Sequence, residues 1–222
     1  MTVANALRSL TSLNFMSFTL HKLKKRLIVF MTYTTDWALF IGVVLILGLG
    51  SSWYMIERGS SLTTLTVGPW VSWTAAGRTD ADPYTRAHEA RLGILPLSTE
   101  VAQTFIARVD SEGRTLHSSC DYVIEGVEDS AFWWSLTVFD ANGRLIPNVL
   151  GRYGFTSDTM AINPNGTYAA RLSRDAHPGN WLPIGGAGRL AIAFTVLDLD
   201  TRTIAQDGEV ERLIPTITRK GC

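Results

Sequence analysis

From Trp37 to Ile56 the chain carries no charged residue, and the stretch includes Leu39, Phe40, Ile41, Val43, Val44, Leu45, Ile46, Leu47 and Leu49. Twenty residues rising 1.5 Å each cover about 30 Å, the hydrocarbon thickness of a bilayer. Trp37 stands at one end and Trp53 with Tyr54 at the other, where amphipathic rings favour the headgroup level. Gly42, Gly48 and Gly50 would weaken a helix in water but are tolerated in lipid. The pattern predicts a single membrane-spanning helix over residues 35–56. A soluble core helix would have to bury twenty apolar residues on every side, which a chain of this length cannot easily do.

Past the apolar run the period changes twice. Residues 57–67, rich in Gly, Ser and Thr, read as a polar spacer. One helix follows over residues 83–92, with Asp82 as N-cap, Pro83 at the first helical position and Gly93 closing the C-terminus. Asp82 and Arg86, four apart, make an expected surface ion pair. Beyond it the hydrophobic period is two. Phe105–Val109 runs into a Glu112-Gly113 turn with Leu116–Ile124 as its hairpin partner, and residues 131–139 form the strongest strand. Asn142-Gly143 and Asn165-Gly166 are the dipeptides of type I′ hairpins. With the runs at residues 168–172, 189–199 and 212–218 this gives seven to nine short strands after one helix, a mainly β, antiparallel sandwich or jelly roll.

Charge sorts the same way. Residues 1–56 hold five basic groups and one acid, whereas residues 57–222 hold fifteen basic groups and nineteen acids, so the net charge of zero is the sum of opposed halves. Lys22, Lys24, Lys25 and Arg26 precede the apolar run, which predicts a cytoplasmic basic segment over residues 1–34 and an extracytoplasmic domain over 68–222. The bilayer is then the partner of residues 35–56, and the mildly acidic outer domain has no electrostatic reason to bind nucleic acid. Two alternatives stay open: a signal peptide cleaved near Gly48–Ser52, and an organelle transit peptide. Initiation at Met16 would shorten the basic segment, and initiation at Met31 would delete its basic cluster and weaken the orientation argument. Cys120 and Cys222 both fall in the part placed outside, where a disulfide is expected; the alternative is two unrelated thiols.

Five motifs occur in order: Gly68-Pro69-Trp70, Asp82-Pro83-Tyr84-Thr85-Arg86-Ala87, Trp134-Ser135-Leu136-Thr137-Val138-Phe139-Asp140, Asn180-Trp181-Leu182-Pro183, and Leu213-Ile214-Pro215 before the final Cys222. Residues 65–222 resemble the DUF1214 family, a bacterial domain of unknown function. The resemblance implies a jelly-roll β-sandwich, in some members behind a membrane anchor and often preceded by a second related domain, for which no segment is expected in residues 1–67. After Trp181 the chain departs from the pattern, having Gly185-Gly186-Ala187-Gly188-Arg189 in place of an Arg-aromatic strand. The family carries no established catalytic activity.

Candidate chemistry is sparse. Gly185–Gly188 is followed by a β-type run and reads as a loop, because a phosphate cradle needs a helix N-terminus there. His88, His117 and His177 lack metal-ligand spacing, and no metal or cofactor is expected. Ser135 lacks the glycines of a nucleophile elbow. Asp198 with Asp200 and Glu209 with Glu211 share strand faces; they read first as solvated positions and second as acid–base or calcium-binding pairs. Trp133 and Trp134 must point to opposite faces of one strand. Trp134, Trp181, Arg86 and Arg91 are accordingly the candidate binding residues. The expected function is an anchored binding or envelope-associated module recognising a glycan, a lipid or an envelope protein. The alternative is an enzyme acting on carbohydrate or a related envelope substrate, and a membrane-assembly scaffold is a third reading.

Overall fold

The computed structural model describes residues 3–128, 133–197 and 212–222. The chain divides into two compact units, Met1–Tyr54 and Met55–Cys222.

Helix α1, Val3–Arg58, runs unbroken for 56 residues. No glycine or proline precedes Gly42, so nothing interrupts it between the basic cluster and the apolar run. Within its segment Lys24–Arg58 an 18-residue window reaches a mean hydropathy of 2.0, and the helix is long and apolar enough to cross a membrane. Hydroxyls that would otherwise seek water turn back onto the helix. Thr34 and Thr35 donate to the Met31 carbonyl at 2.9 and 3.0 Å, and Ser51 donates to Gly48 at 3.1 Å. Leu39 and Ile46 are 68% and 73% exposed. Left in water, each such side chain forgoes about 1.5–3 kcal/mol of burial.

The expected spacer is partly strand. After a turn through Gly59, at φ 69°, β1 (Thr64–Val67) pairs antiparallel with β2 (Trp70–Trp73). Alternation in Thr-Leu-Thr-Val suits this pairing better than a free linker. Next comes α2 (Pro83–Leu92), then β3 (Ala102–Ala107), β4 (Asp121–Val127), β5 (Trp133–Asp140), β6 (Gly154–Thr156), β7 (Thr167–Ser173), β8 (Trp181–Pro183), β9 (Leu190–Leu197) and β10 (Thr216–Gly221). These form a six-stranded sheet, β1-β2-β3-β9-β5-β6, and a four-stranded sheet, β10-β4-β7-β8. Pairing is antiparallel except between β7 and β8.

One core lies between the sheets. Phe105, Phe194 and Leu136 align across β3, β9 and β5, each 1% exposed or less. From the other sheet Tyr168 stacks on Trp134 with ring centroids 4.6 Å apart. Gly126 permits that stack, since a Cβ there would lie 2.4 Å from the Tyr168 ring. Burial, aided by the Glu128 charge, pushes the Tyr168 hydroxyl far above its ordinary pKa. Trp70, fully buried, donates its indole N–H to the Pro215 carbonyl at 2.7 Å, joining the first and last of the five motifs.

The predicted hairpin across Glu112-Gly113 is reduced to one bridge, Val109↔Thr115. Its two arms part to different sheets: β3 pairs with β2 and β9, β4 with β7 and β10. Type I′ turns do not form at Asn142-Gly143 or Asn165-Gly166, because no residue other than glycine has positive φ among the described residues. The residue three positions before each glycine closes the turn instead. Asp140 Oδ1 accepts from the Asn142 and Arg144 amides at 2.8 and 2.9 Å, and Gly143 alone takes φ 73°. Asp110-Ser-Glu-Gly-Arg114 repeats this design, accepting from the Glu112 and Arg114 amides. Asp110 is 1% exposed and also meets Arg114 Nε at 2.9 Å and Arg219 Nε at 3.2 Å. Burial opposes its charge, but hydrogen bonds from Arg114 and Glu112 outweigh it and hold the carboxyl below the ordinary range.

Cys120 and Cys222 form the expected disulfide, 102 residues apart, where Gly221 of β10 pairs with Asp121 of β4.

Candidate functional site

The outer face of the four-stranded sheet carries a cleft of about 310 Å³ lined by residues of β4, β7 and two loops. Alternation along β7 buries Tyr168, Ala170 and Leu172 and turns Ala169 and Arg171 outward. Outward Val123 on β4 forms part of the floor, opposite Arg171 in register. The rim is the His177–Asn180 loop on one side and the segment around Ala161–Asn163 on the other. Volumes near 300 Å³ sit at the small end of ligand sites.

Asn180 holds these walls together. Its side-chain oxygen accepts from the Ala161 amide at 2.9 Å, and its NH₂ donates to the Ala161 and Ala169 carbonyls at 2.9 and 3.1 Å. Its own carbonyl accepts from the Arg171 amide at 2.8 Å. Every group of Asn180's amide is thereby engaged, so the residue braces the cleft and leaves recognition to its neighbours.

Arg171 and His177 are those neighbours. The guanidinium donates from Nη1 to His177 Nδ1 at 3.0 Å, a contact that requires Nδ1 to be an acceptor. No acidic side chain lines the cleft among the described residues. A planar cation with spare donors, facing no carboxylate, suits a carboxylate or another planar oxyanion. Trp181 lies alongside, its backbone paired with Arg171 across the parallel β7–β8 ladder. Its indole donates to Ser173 Oγ at 3.0 Å, which fixes the ring against the same face.

The four sequence candidates have separate partners. Trp134 is the inward member of its pair, 3% exposed, with its indole N–H on Glu128 at 3.1 Å; a ligand at the surface cannot reach it. Trp133 is the outward member, 40% exposed, and donates to Asp158 at 2.9 Å. Arg86 donates to the Thr79 carbonyl at 2.6 Å in place of the expected pair with Asp82. Asp82 itself caps α2, accepting from the Tyr84 and Thr85 amides at 2.9 and 3.1 Å and from the Thr85 hydroxyl. Arg91 is ion-paired with Glu57. Trp181 alone of the four adjoins lining residues, next to Asn180 in the chain and paired with Arg171 through the backbone, though it is not itself part of the lining. Arg171, which sequence reasoning missed, was marked only by its outward parity on a strand nine residues before Asn180.

The remaining candidates fall apart spatially. His88 stacks on Trp73 and shares its Nδ1 with the Ile56 carbonyl, whereas His117 contacts Ser119. Among the described residues no group of three or more His, Cys, Asp or Glu could hold a metal. The Gly185–Gly188 loop leads directly into β9, and the Gly188 amide already donates to Ser118 Oγ at 2.9 Å. Asp198, Asp200, Glu209 and Glu211 lie outside the described residues.

Residues 101–200 match the model of a family described as "Protein of unknown function (DUF1214)". Among solved structures, the chain is similar to the VPA0106 protein from Vibrio parahaemolyticus at 23% identity and a TM-score of 0.53, over 78% of this chain and 42% of that one. An uncharacterized protein from Burkholderia cenocepacia also aligns, at 17% identity, a TM-score of 0.35, and coverage of 54% and 29%. This chain therefore spans less than half the length of either, and the Vibrio structure supports its fold alone. A comparison with curated proteins matched none.

Proposed function

With the DUF1214 match over residues 101–200 as premise, we propose that the chain is a membrane-anchored, extracytoplasmic binding module whose cleft over Arg171 takes an acidic glycan. The cleft carries the reading: a guanidinium lies in a recess without a facing carboxylate among the described residues, and Trp181, its indole held by Ser173, is its partner on the adjacent strand. Sugars bind through such pairings, with an aromatic face beside the ring and a charged fork on its substituent. Anchoring is supported by the apolar helix, and an outside location by the basic cluster ahead of it and the disulfide behind it. A jelly-roll assignment is supported by the repeated crossing of the chain between the sheets at β3–β4, β4–β5, β6–β7 and β8–β9.

The test titrates the full-length protein in detergent with oligomers of glucuronate and galacturonate, and with their neutral counterparts. Acidic oligomers bind preferentially. Arg171→Ala weakens them about 10- to 150-fold, the range for a hydrogen bond to a charged group, and leaves melting unchanged. Equal binding of neutral and acidic oligomers, or indifference to Arg171→Ala, refutes the reading. Cleavage of the oligomers would replace it with the carbohydrate-enzyme alternative.

A further inference from the structure

Apolar residues crowd one end of the second unit. Leu62 is 88% exposed, and Leu92, Ile94, Leu95 and Leu97 are 49%, 44%, 101% and 61% exposed. Scattered surface leucines need no explanation, but a run of this kind on connected loops does. Hydrogen bonds and contacts tie the loops to each other. Thr74 donates to the Thr63 carbonyl at 3.0 and 3.1 Å, beside Leu62. Thr99 donates to Ala76 at 3.0 Å, and a Cβ on Gly77 would lie 2.7 Å from the Pro96 carbonyl. The Leu62 turn and the Ile94–Leu97 loop therefore flank the same Thr74–Gly77 segment.

The same end holds Ile56 and Glu57, near the start of this unit. His88 on α2 reaches the Ile56 carbonyl at 2.7 Å, Arg91 pairs with Glu57, and Trp73 stacks under His88 with centroids 4.3 Å apart. Ile56 and Glu57 belong to the second unit. Leu62 is four residues past Arg58, which limits its reach to about 14 Å at full extension. Gly93, at φ 64°, ends α2 two residues after Arg91 and releases the chain directly into Ile94–Leu97.

We infer that Leu62, Leu92, Ile94, Leu95 and Leu97 form a lipid-contacting rim that seats the domain on the bilayer surface. The inference rests on the anchored reading above, since the anchor is what brings this rim to lipid. Side chains of this kind enter the boundary between headgroups and acyl chains, about 5–10 Å deep. The bilayer thereby covers surface that would otherwise remain open to water.

The full-length protein reconstituted in phosphatidylcholine–phosphatidylglycerol nanodiscs tests this. A nitroxide-bearing amino acid replaces Phe40, Leu95 or Val149 one at a time, leaving both cysteines intact. Phe40 reports the anchor. Val149, fully exposed between β5 and β6 at the opposite edge of the six-stranded sheet, is the aqueous reference. Accessibility to oxygen exceeding that to a water-soluble nickel chelate at Phe40 and Leu95, with the reverse at Val149, is the expected result. Leu95 behaving like Val149 while Phe40 stays in lipid overturns the rim and spares the anchor. Leu95 shielded from both relaxants means a protein covers it, and the rim is again overturned. An aqueous Phe40 overturns the anchor and the rim together.

Discussion

Reducing the Cys120–Cys222 disulfide tests how the β-rich unit is stabilised. The bridge spans 102 residues. A crosslink closing a loop of about 100 residues removes about 4.7 kcal/mol of conformational freedom from the unfolded chain. Residual structure in the unfolded chain lowers the measurable figure to about 4 kcal/mol. For a domain of about 150–250 residues that is a fall in Tm of about 8–16 °C. The native contacts of β10 survive reduction, because its register with β4 and the Arg219–Asp110 pair do not involve sulfur. The loss is therefore an unfolded-state effect, and the reduced protein keeps its native tryptophan emission until it melts. The assay is a thermal scan of intrinsic fluorescence in detergent, with and without reductant. It is run on wild type and on Cys120→Ala/Cys222→Ala, which avoids placing a hydroxyl at the buried position 120. The double variant should melt with the reduced wild type and ignore reductant. A reduced protein melting within about 2 °C of the oxidised one, less than the shift for 1 kcal/mol, would refute the reasoning.

Two further outcomes follow from buried groups. Asp110 has a depressed folded-state pKa, so it contributes stability above the ordinary carboxylate value and loses it as pH falls through the depressed one. Asp110→Asn should be less stable than wild type by about 1–3 kcal/mol at pH 7, with the gap closing toward pH 2; urea midpoints across pH 2–7 check this, and a constant gap would contradict it. Trp134→Ala should cost about 3–5 kcal/mol as a core truncation, whereas Trp133→Ala, losing a surface bond to Asp158, should cost less than about 1.5 kcal/mol; equal losses in denaturant melts would mean that the facing is misassigned.

What the sequence disclosed, and what it hid, divides by range of interaction. The cap Asp82, the Pro83 start and the Gly93 stop of α2 were legible because each acts within four residues. The opposed facing of Trp133 and Trp134 followed from strand parity, though parity cannot say which ring is inside. The disulfide was legible because the two cysteines had only each other. Partners across the chain were not legible. Asp110-Ser-Glu-Gly-Arg114 looks like a hairpin turn locally, yet its arms leave for different sheets, since β9 from far downstream claims β3. The cleft escaped for the same reason. Arg171 becomes notable only once the loop at His177–Asn180 folds over it, and nothing in the spacing announces that closure. The quoted motifs did not announce their structural roles either: Asn180 braces two loops, and Trp70 ties β2 to Pro215.

The sheet margins bear on how many copies can live together. The six-stranded sheet ends in β1 and β6, of four and three residues; the four-stranded sheet ends in three-residue β8, where Pro183 lacks a donor, and in β10, which is irregular between Arg219 and Gly221. Strands so brief or bent make poor templates for a neighbour's backbone. Under the anchoring proposed above, copies would share a plane and meet often. Frayed borders of this kind let such molecules jostle without annealing into shared sheets.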